Sequence, residues 1–130
     1  MSLTISKKDI TNPEDIKFLV DTFYESVQKD KNIGFFFTEV AKVHWEKHLP
    51  TMYLFWESIV FKNAAYKGNP MIKHIALNKK KPIDTKHFKQ WLLLWETNVN
   101  HHFSGKNATE IIERAKQIAS LMEFKVTKSN

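Results

Sequence analysis

The chain has no cysteine. That excludes a disulfide framework, a zinc–thiolate site, an iron–sulfur cluster, any thiolate metal ligand and a cysteine nucleophile. Metal chemistry would have to use His, carboxylate, Tyr or Met. Glycine and proline are scarce, three and four in 130 residues. Such scarcity disfavours a turn-rich all-β protein and favours helices. Arginine is almost missing: of twenty basic residues only Arg114 is Arg. Specific nucleic-acid readers usually need arginine's planar fork. The net charge of +6 is therefore read as a lysine-rich surface, with no nucleic-acid partner. No apolar run approaches a membrane span. The opening MSLTISKKDI lacks the apolar core and small-residue cleavage site of a signal peptide. The expectation is one soluble cytoplasmic domain over residues 1–130, monomeric and not membrane-bound. Glycine-rich phosphate loops and Gly-x-Ser-x-Gly elbows are also missing.

What is present is helical periodicity with many rings. Aromatic residues make up 13% of the chain, ten of them Phe. Such side chains suit a well-filled core or one wrapped round a flat apolar ligand. Asn12 before Pro13, with Glu14 and Asp15 following, predicts a helix start. Ile16, Leu19, Val20, Phe23, Tyr24 and Val27 then form one buried face. Gly34 turns the chain, and Phe35, Phe36 and Phe37 form an apolar knot that packs in several directions. A second helix is expected from near His44, with His48, Met52, Phe55, Trp56 and Ile59 on one side. Pro50 lies early in it, which predicts an irregular opening turn. Tyr66 to Pro70 reads as a turn, Met71 to Leu77 as a short helix, and Lys79 to Lys81 as an exposed loop. Asp84 and Thr85 cap a helix whose face is Phe88, Trp91, Leu92, Trp95 and Val99. Asn98 to Asn107 is read as a polar connection. Asn107 or Thr109 would cap a last helix burying Ile111, Ile112, Ala115, Ile118, Ala119 and Met122. Residues 1–12 and 124–130 are expected to be flexible extensions. The sum is about six helices and no strand: an all-α fold.

The six histidines are the main reactive stock. His44 and His48 have the i, i+4 spacing of a zinc protease helix, but Trp45 stands where that chemistry needs Glu. His101 and His102 adjoin in the polar connection, and His87 sits beside Lys86 and Lys89; all three are read as surface. His74 follows a turn in an apolar segment. Taken alone it reads as a structural histidine.

Taken together, four blocks resemble group III of the truncated haemoglobins. They are Phe23-Tyr24-Glu25-Ser26-Val27, then Ile33-Gly34-Phe35-Phe36-Phe37, then Trp45-Glu46-Lys47-His48-Leu49 running on to Phe55-Trp56. The fourth is Tyr66-Lys67-Gly68-Asn69-Pro70-Met71-Ile72-Lys73-His74, followed by Phe88-Lys89-Gln90-Trp91-Leu92. The resemblance spans about Ile16 to Met122, and the Tyr-x-Gly-x-Pro-x-x-x-His block is its most specific piece. The chain departs from the family at Phe35, where the family often has Pro, and at Pro50 just after His48.

The resemblance implies a truncated globin fold, a two-over-two helical sandwich around haem b. It implies His74 as the proximal iron ligand, with the sixth position open. Tyr24, His48 and Trp91 fall at the family's distal polar positions, where hydroxyl and indole donors stabilise a polarised diatomic ligand. Phe23, Phe37, Met52, Phe55, Ile75, Phe88, Leu92 and Trp95 are candidate haem-wall residues. Lys73 and the lysines at 79 to 81 are available to the propionates. The implied ligands are O2, NO and CO. The implied activities are oxygen binding or transport and nitric oxide detoxification of the dioxygenase type, which needs an external reductase. The alternatives are a peroxidase-like or ligand-sensing haem protein and, in another class, a haem-free basic helical interaction module.

Overall fold

The computed structural model describes residues 7–34, 45–62 and 85–128. Among them are four helices and no strand: α1 (Pro13–Lys29), α2 (Trp45–Phe61), α3 (Thr85–His102) and α4 (Lys106–Lys128). Helix α1 packs on both α2 and α3, and α4 packs on α3 and α2. This is a two-over-two sandwich of helices. The Phe35–Phe37 knot, His44, the Tyr66–Pro70 turn, the expected Met71–Leu77 helix and Lys79–Lys81 lie outside the described residues.

Helix α1 starts as its sequence dictates. Asn12 stays extended and its side chain accepts from the Asp15 N–H at 2.9 Å. Glu14 and Asp15 then face the positive end of the helix dipole. The six periodic apolar residues, Ile16 to Val27, are all buried. Each such side chain contributes about 1.5–3 kcal/mol on leaving water. Asp30 ends the helix and accepts from the Asn32, Ile33 and Gly34 N–H groups, the first two through its side chain. A Cβ on Gly34 would lie 2.9 Å from the Val27 carbonyl oxygen. Only glycine lets the chain turn back this closely onto α1.

Helix α2 continues through Pro50. Expected irregularity in its opening turn is absent: proline costs the hydrogen bond to the Glu46 carbonyl but the helix continues. Trp56 and Val60 are its buried residues, while Met52, Phe55 and Ile59 are half-buried.

Three boundaries correct the sequence reading. Asn98 to His102 belong to α3, so the polar connection shrinks to Phe103–Gly105. Asn98 explains why a polar residue sits there. Its side-chain amide donates to the Leu19 carbonyl and the Thr22 hydroxyl, both at 3.0 Å, and ties α3 to α1. Residues 124–128, expected as a flexible end, are helical.

Residues 7–12, expected as a flexible extension, are part of the packed domain. Ile10 is fully buried. Asp9 accepts from the N–H groups of Asn107 and Ala108 at 2.9 Å each and so caps α4 from across the fold. Asn107 and Thr109 are therefore not the caps of that helix. Asn107 instead donates its amide to the Ile10 carbonyl at 2.7 Å. Ser104 N–H donates to the Lys8 carbonyl at 3.0 Å, closing the seam. Gly105 makes room for it. Its φ is +142°, and a Cβ there would lie 2.5 Å from Asp9 Cγ.

Candidate functional site

Of the distal residues named from the sequence, Tyr24 of α1 and His48 of α2 are in ring contact, and Trp91 of α3 is reached through Phe23. Tyr24 comes from the buried face of α1 and is 6% exposed. Its ring stands edge-on to His48 of α2, with centroids 5.1 Å apart at 78°. His48 is half-buried and its Nε2 is shielded from solvent. Phe23, one residue before Tyr24, carries the contact to α3. Its ring is edge-on to Trp91 at 6.0 Å and to Trp95 at 4.9 Å. Two adjacent α1 residues thus bridge both neighbouring helices.

Burial pushes the Tyr24 phenol well above its ordinary range. The group therefore stays a neutral O–H through all ordinary pH. Trp91 supplies an indole N–H, which can only donate. His48 supplies a ring whose donor and acceptor depend on its tautomer.

The candidate wall residues divide into two groups. Met52, Phe55 and Leu92 are half-buried at the edge of the core. With His48 and Ile59, Met52 and Phe55 form a stripe at spacings of three and four along α2. Phe23, Phe88 and Trp95 are buried in the helical core itself. Trp95 stacks on Trp56, centroids 4.5 Å apart and planes at 18°. Its Nε1–H meets no acceptor among the described residues. His74, Phe37, Ile75 and Lys73 lie outside the described residues.

A protonated phenol in contact with an imidazole, with an indole one ring away across Phe23, is a donor set whose chemistry suits a haem-bound ligand. Among the described residues no cluster of three or more His, Asp or Glu could hold a bare metal ion. Histidines away from the pocket behave differently. His101 is exposed, but His102 is half-buried in the last turn of α3, edge-on to Phe18 at 4.6 Å. Burial, His101 and Lys7 hold its imidazolium form down, lowering its pKa. The surface reading of His102 and the half-buried His87 is corrected accordingly.

Sequence reasoning missed two polar devices. One is Asp9 on α4. The other joins α1 to α2: the Tyr53 hydroxyl donates to the Asp21 carboxylate. Burial, then the Asp21 hydrogen bond and charge, push the Tyr53 phenol up to about 12. Lys17 Nζ lies 6.0 Å above the Tyr53 ring. A tyrosine and an aspartate 32 positions apart leave no local signal; only the i, i+4 pairing of Lys17 and Asp21 on α1 hinted at a charged face there.

An all-α sandwich with these residues at its centre defines a globin of the shortened, two-over-two class. The crystal structure of a group III truncated hemoglobin from Campylobacter jejuni superposes with a TM-score of 0.79, at 29% identity over 92% of this chain and 94% of that one. In sequence, the group 3 truncated hemoglobin ctb of Campylobacter jejuni subsp. jejuni serotype O:2 is 32% identical over 117 residues, 88% of this chain and 90% of that protein. No protein-family model matches the chain. The chain belongs to the group III truncated haemoglobins. Among the described residues no helix is long and apolar enough to cross a membrane.

Proposed function

We propose that the protein binds haem b through His74 and holds O2, or another diatomic ligand such as NO or CO, between the iron and the Tyr24–His48–Trp91 side. The observation that carries this reading is the buried, neutral Tyr24 hydroxyl packed against His48, with Phe23 beside it reaching Trp91. His74 would hold haem, which would supply an iron able to bind a small ligand. The chain's own residues do the rest. Tyr24 keeps its proton because burial disfavours the phenolate. It is thus a donor to any ligand atom that gains negative charge. Trp91 adds a donor that cannot become an acceptor. Met52, Phe55 and Leu92 exclude water. Lys73 and the lysines at 79 to 81 are the proposed partners of the propionates. Conversion of NO to nitrate is the proposed activity, with electrons from a separate reductase, since the chain carries no flavin or nicotinamide motif. A cytoplasmic monomer is the proposed state.

The first experiment is an absorption spectrum of the purified protein supplied with haem b, beside His74→Gly. Wild type is expected to give a five-coordinate ferrous spectrum that the variant loses. Retention of that spectrum by the variant sinks the axial assignment. No Soret band in wild type would favour the haem-free interaction module. O2 release is expected to quicken about tenfold or more in Tyr24→Phe, since a hydrogen bond to a charged acceptor is worth ~1.5–3 kcal/mol. Nitrate formed from NO by the oxy protein separates the proposed activity from peroxidase-like or sensing roles.

A further inference from the structure

The geometry points to a one-electron relay that runs from the stacked Trp95–Trp56 pair to the Tyr53–Asp21 pair on the α1–α2 face. Four observations place its parts. Trp95 and Trp56 are both buried and stacked at 4.5 Å, close enough to share one electron hole. Phe23 touches both Trp95 and Trp91, so the pair adjoins the ligand side of the fold. Tyr53 lies one turn before Trp56 on α2, is half-buried, and donates its hydroxyl to Asp21. Trp95 Nε1–H has no acceptor among the described residues.

The last two observations set the direction of transfer. An indole that loses an electron becomes a cation radical. Among the described residues Trp95 has no base to take its proton, so the charge would stay in an apolar core, which is costly. Tyr53 has a base already in contact. It gives one electron to the pair as its O–H bond breaks and the proton bonds to an Asp21 oxygen. The indoles return to neutrality, and a neutral tyrosyl radical remains beside a protonated Asp21. The Lys17 ammonium above the ring opposes a cationic ring but not a neutral one.

The oxidant class is hydrogen peroxide, which takes two electrons and two protons to become two waters. The reductant class is a phenol or an enediol from solvent. For each electron it returns to the Tyr53 oxygen, Tyr53 recovers its proton from Asp21 and the donor releases one to water. Two such turns balance one peroxide. The half-buried Tyr53 is where a donor too large for the pocket can reach. Supply of the hole from the ligand side rests on the haem reading above; transfer from the indoles to Tyr53 does not.

The experiment is pulse radiolysis of the purified full chain with azide radicals, which oxidise tryptophan selectively. Transient absorption follows indolyl decay and tyrosyl growth. The chain has three tyrosines, so Tyr53→Phe and Tyr24→Phe assign the signal. Most of the tyrosyl yield is expected to vanish in Tyr53→Phe and to persist in Tyr24→Phe. Asp21→Asn is expected to slow tyrosyl growth by about a hundredfold, the low end of what a positioned base contributes. Asp21→Glu, which keeps a base, recovers part of that rate, and circular dichroism checks that each variant stays helical. Full tyrosyl yield in Tyr53→Phe, or an unchanged rate in Asp21→Asn, overturns the relay. A missing Soret band would sink the function proposed above and leave this result standing.

Discussion

At the seam where Lys8, Asp9 and Ile10 meet the α3–α4 turn, hydrogen bonds join chain segments nearly 100 positions apart. Where α1, α2 and α3 meet around Phe23, the contacts are ring against ring. The seam matches the Asn107, Ala108 and Ser104 N–H groups and the Asn107 amide to acceptors. The aromatic junction gathers the rings of Phe23, Tyr24, Trp91 and Trp95, and the Trp95 Nε1–H meets no acceptor among the described residues. One end of the sandwich is built to be closed. The other is held by ring packing. Breaking each end should therefore look different.

The largest effect is expected at the aromatic junction. Trp95→Ala removes a fully buried ring that packs on Trp56 and Phe23. Large-to-small changes of this kind cost about 3–5 kcal/mol. That is a large share of the ~5–15 kcal/mol that holds a domain folded. Urea unfolding of the variant should show a midpoint far below wild type. A loss under about 1 kcal/mol would mean that the core collapses to fill the space.

A smaller effect is expected at the seam. Asp9→Ala strips the cap from α4 and leaves the Asn107 and Ala108 N–H groups without it. A lost cap costs about 1–2 kcal/mol. The effect should be pH-dependent. Burial pushes the Asp9 carboxyl up, but hydrogen bonds from Asn107, Ala108 and Ile10 outweigh it, and the pKa lies below 3.8. A carboxylate with a depressed folded pKa stabilises above its unfolded value and ceases to as pH falls through the folded one. The gap between wild type and Asp9→Ala should therefore be full above pH 3.8 and shrink below it. A gap that stays constant into strong acid would show that the carboxylate charge is irrelevant there.

The same contrast explains what the amino-acid sequence discloses. The buried faces of α1, α3 and α4 follow from periodicity, because apolar spacing is a local signal and the core accepted each face. All six expected α1 residues are buried. Tyr24, His48 and Trp91 are ordinary core aromatics by periodicity alone, and only family resemblance set them apart. The seam was illegible. Asp9 caps a helix almost the whole chain away, so no residue near Lys106 announces the start. Asn98 reads as a loop residue until its amide is seen donating to the Leu19 carbonyl and Thr22. Polar closures depend on which segments meet, and that is decided by packing first.

The smallest expected effect is also the most discriminating. Trp95→Phe has two opposed consequences. It loses part of a buried ring and its stack on Trp56, which costs about 1–3 kcal/mol. It also deletes an Nε1–H that has no acceptor among the described residues, which relieves a penalty of about 1–3 kcal/mol. The two nearly cancel, and the net change in unfolding free energy is expected within about 1 kcal/mol. Asp9→Ala offers no such cancellation, because its change creates unmatched donors where none existed. If Trp95→Phe costs as much as Trp95→Ala, the indole N–H is satisfied in solution. The two ends are then more alike than their contacts suggest. If the two variants separate widely, the fold holds an unpaired donor at the centre of its ring stack, and the case that a hole on Trp95 must move on to Tyr53 is strengthened.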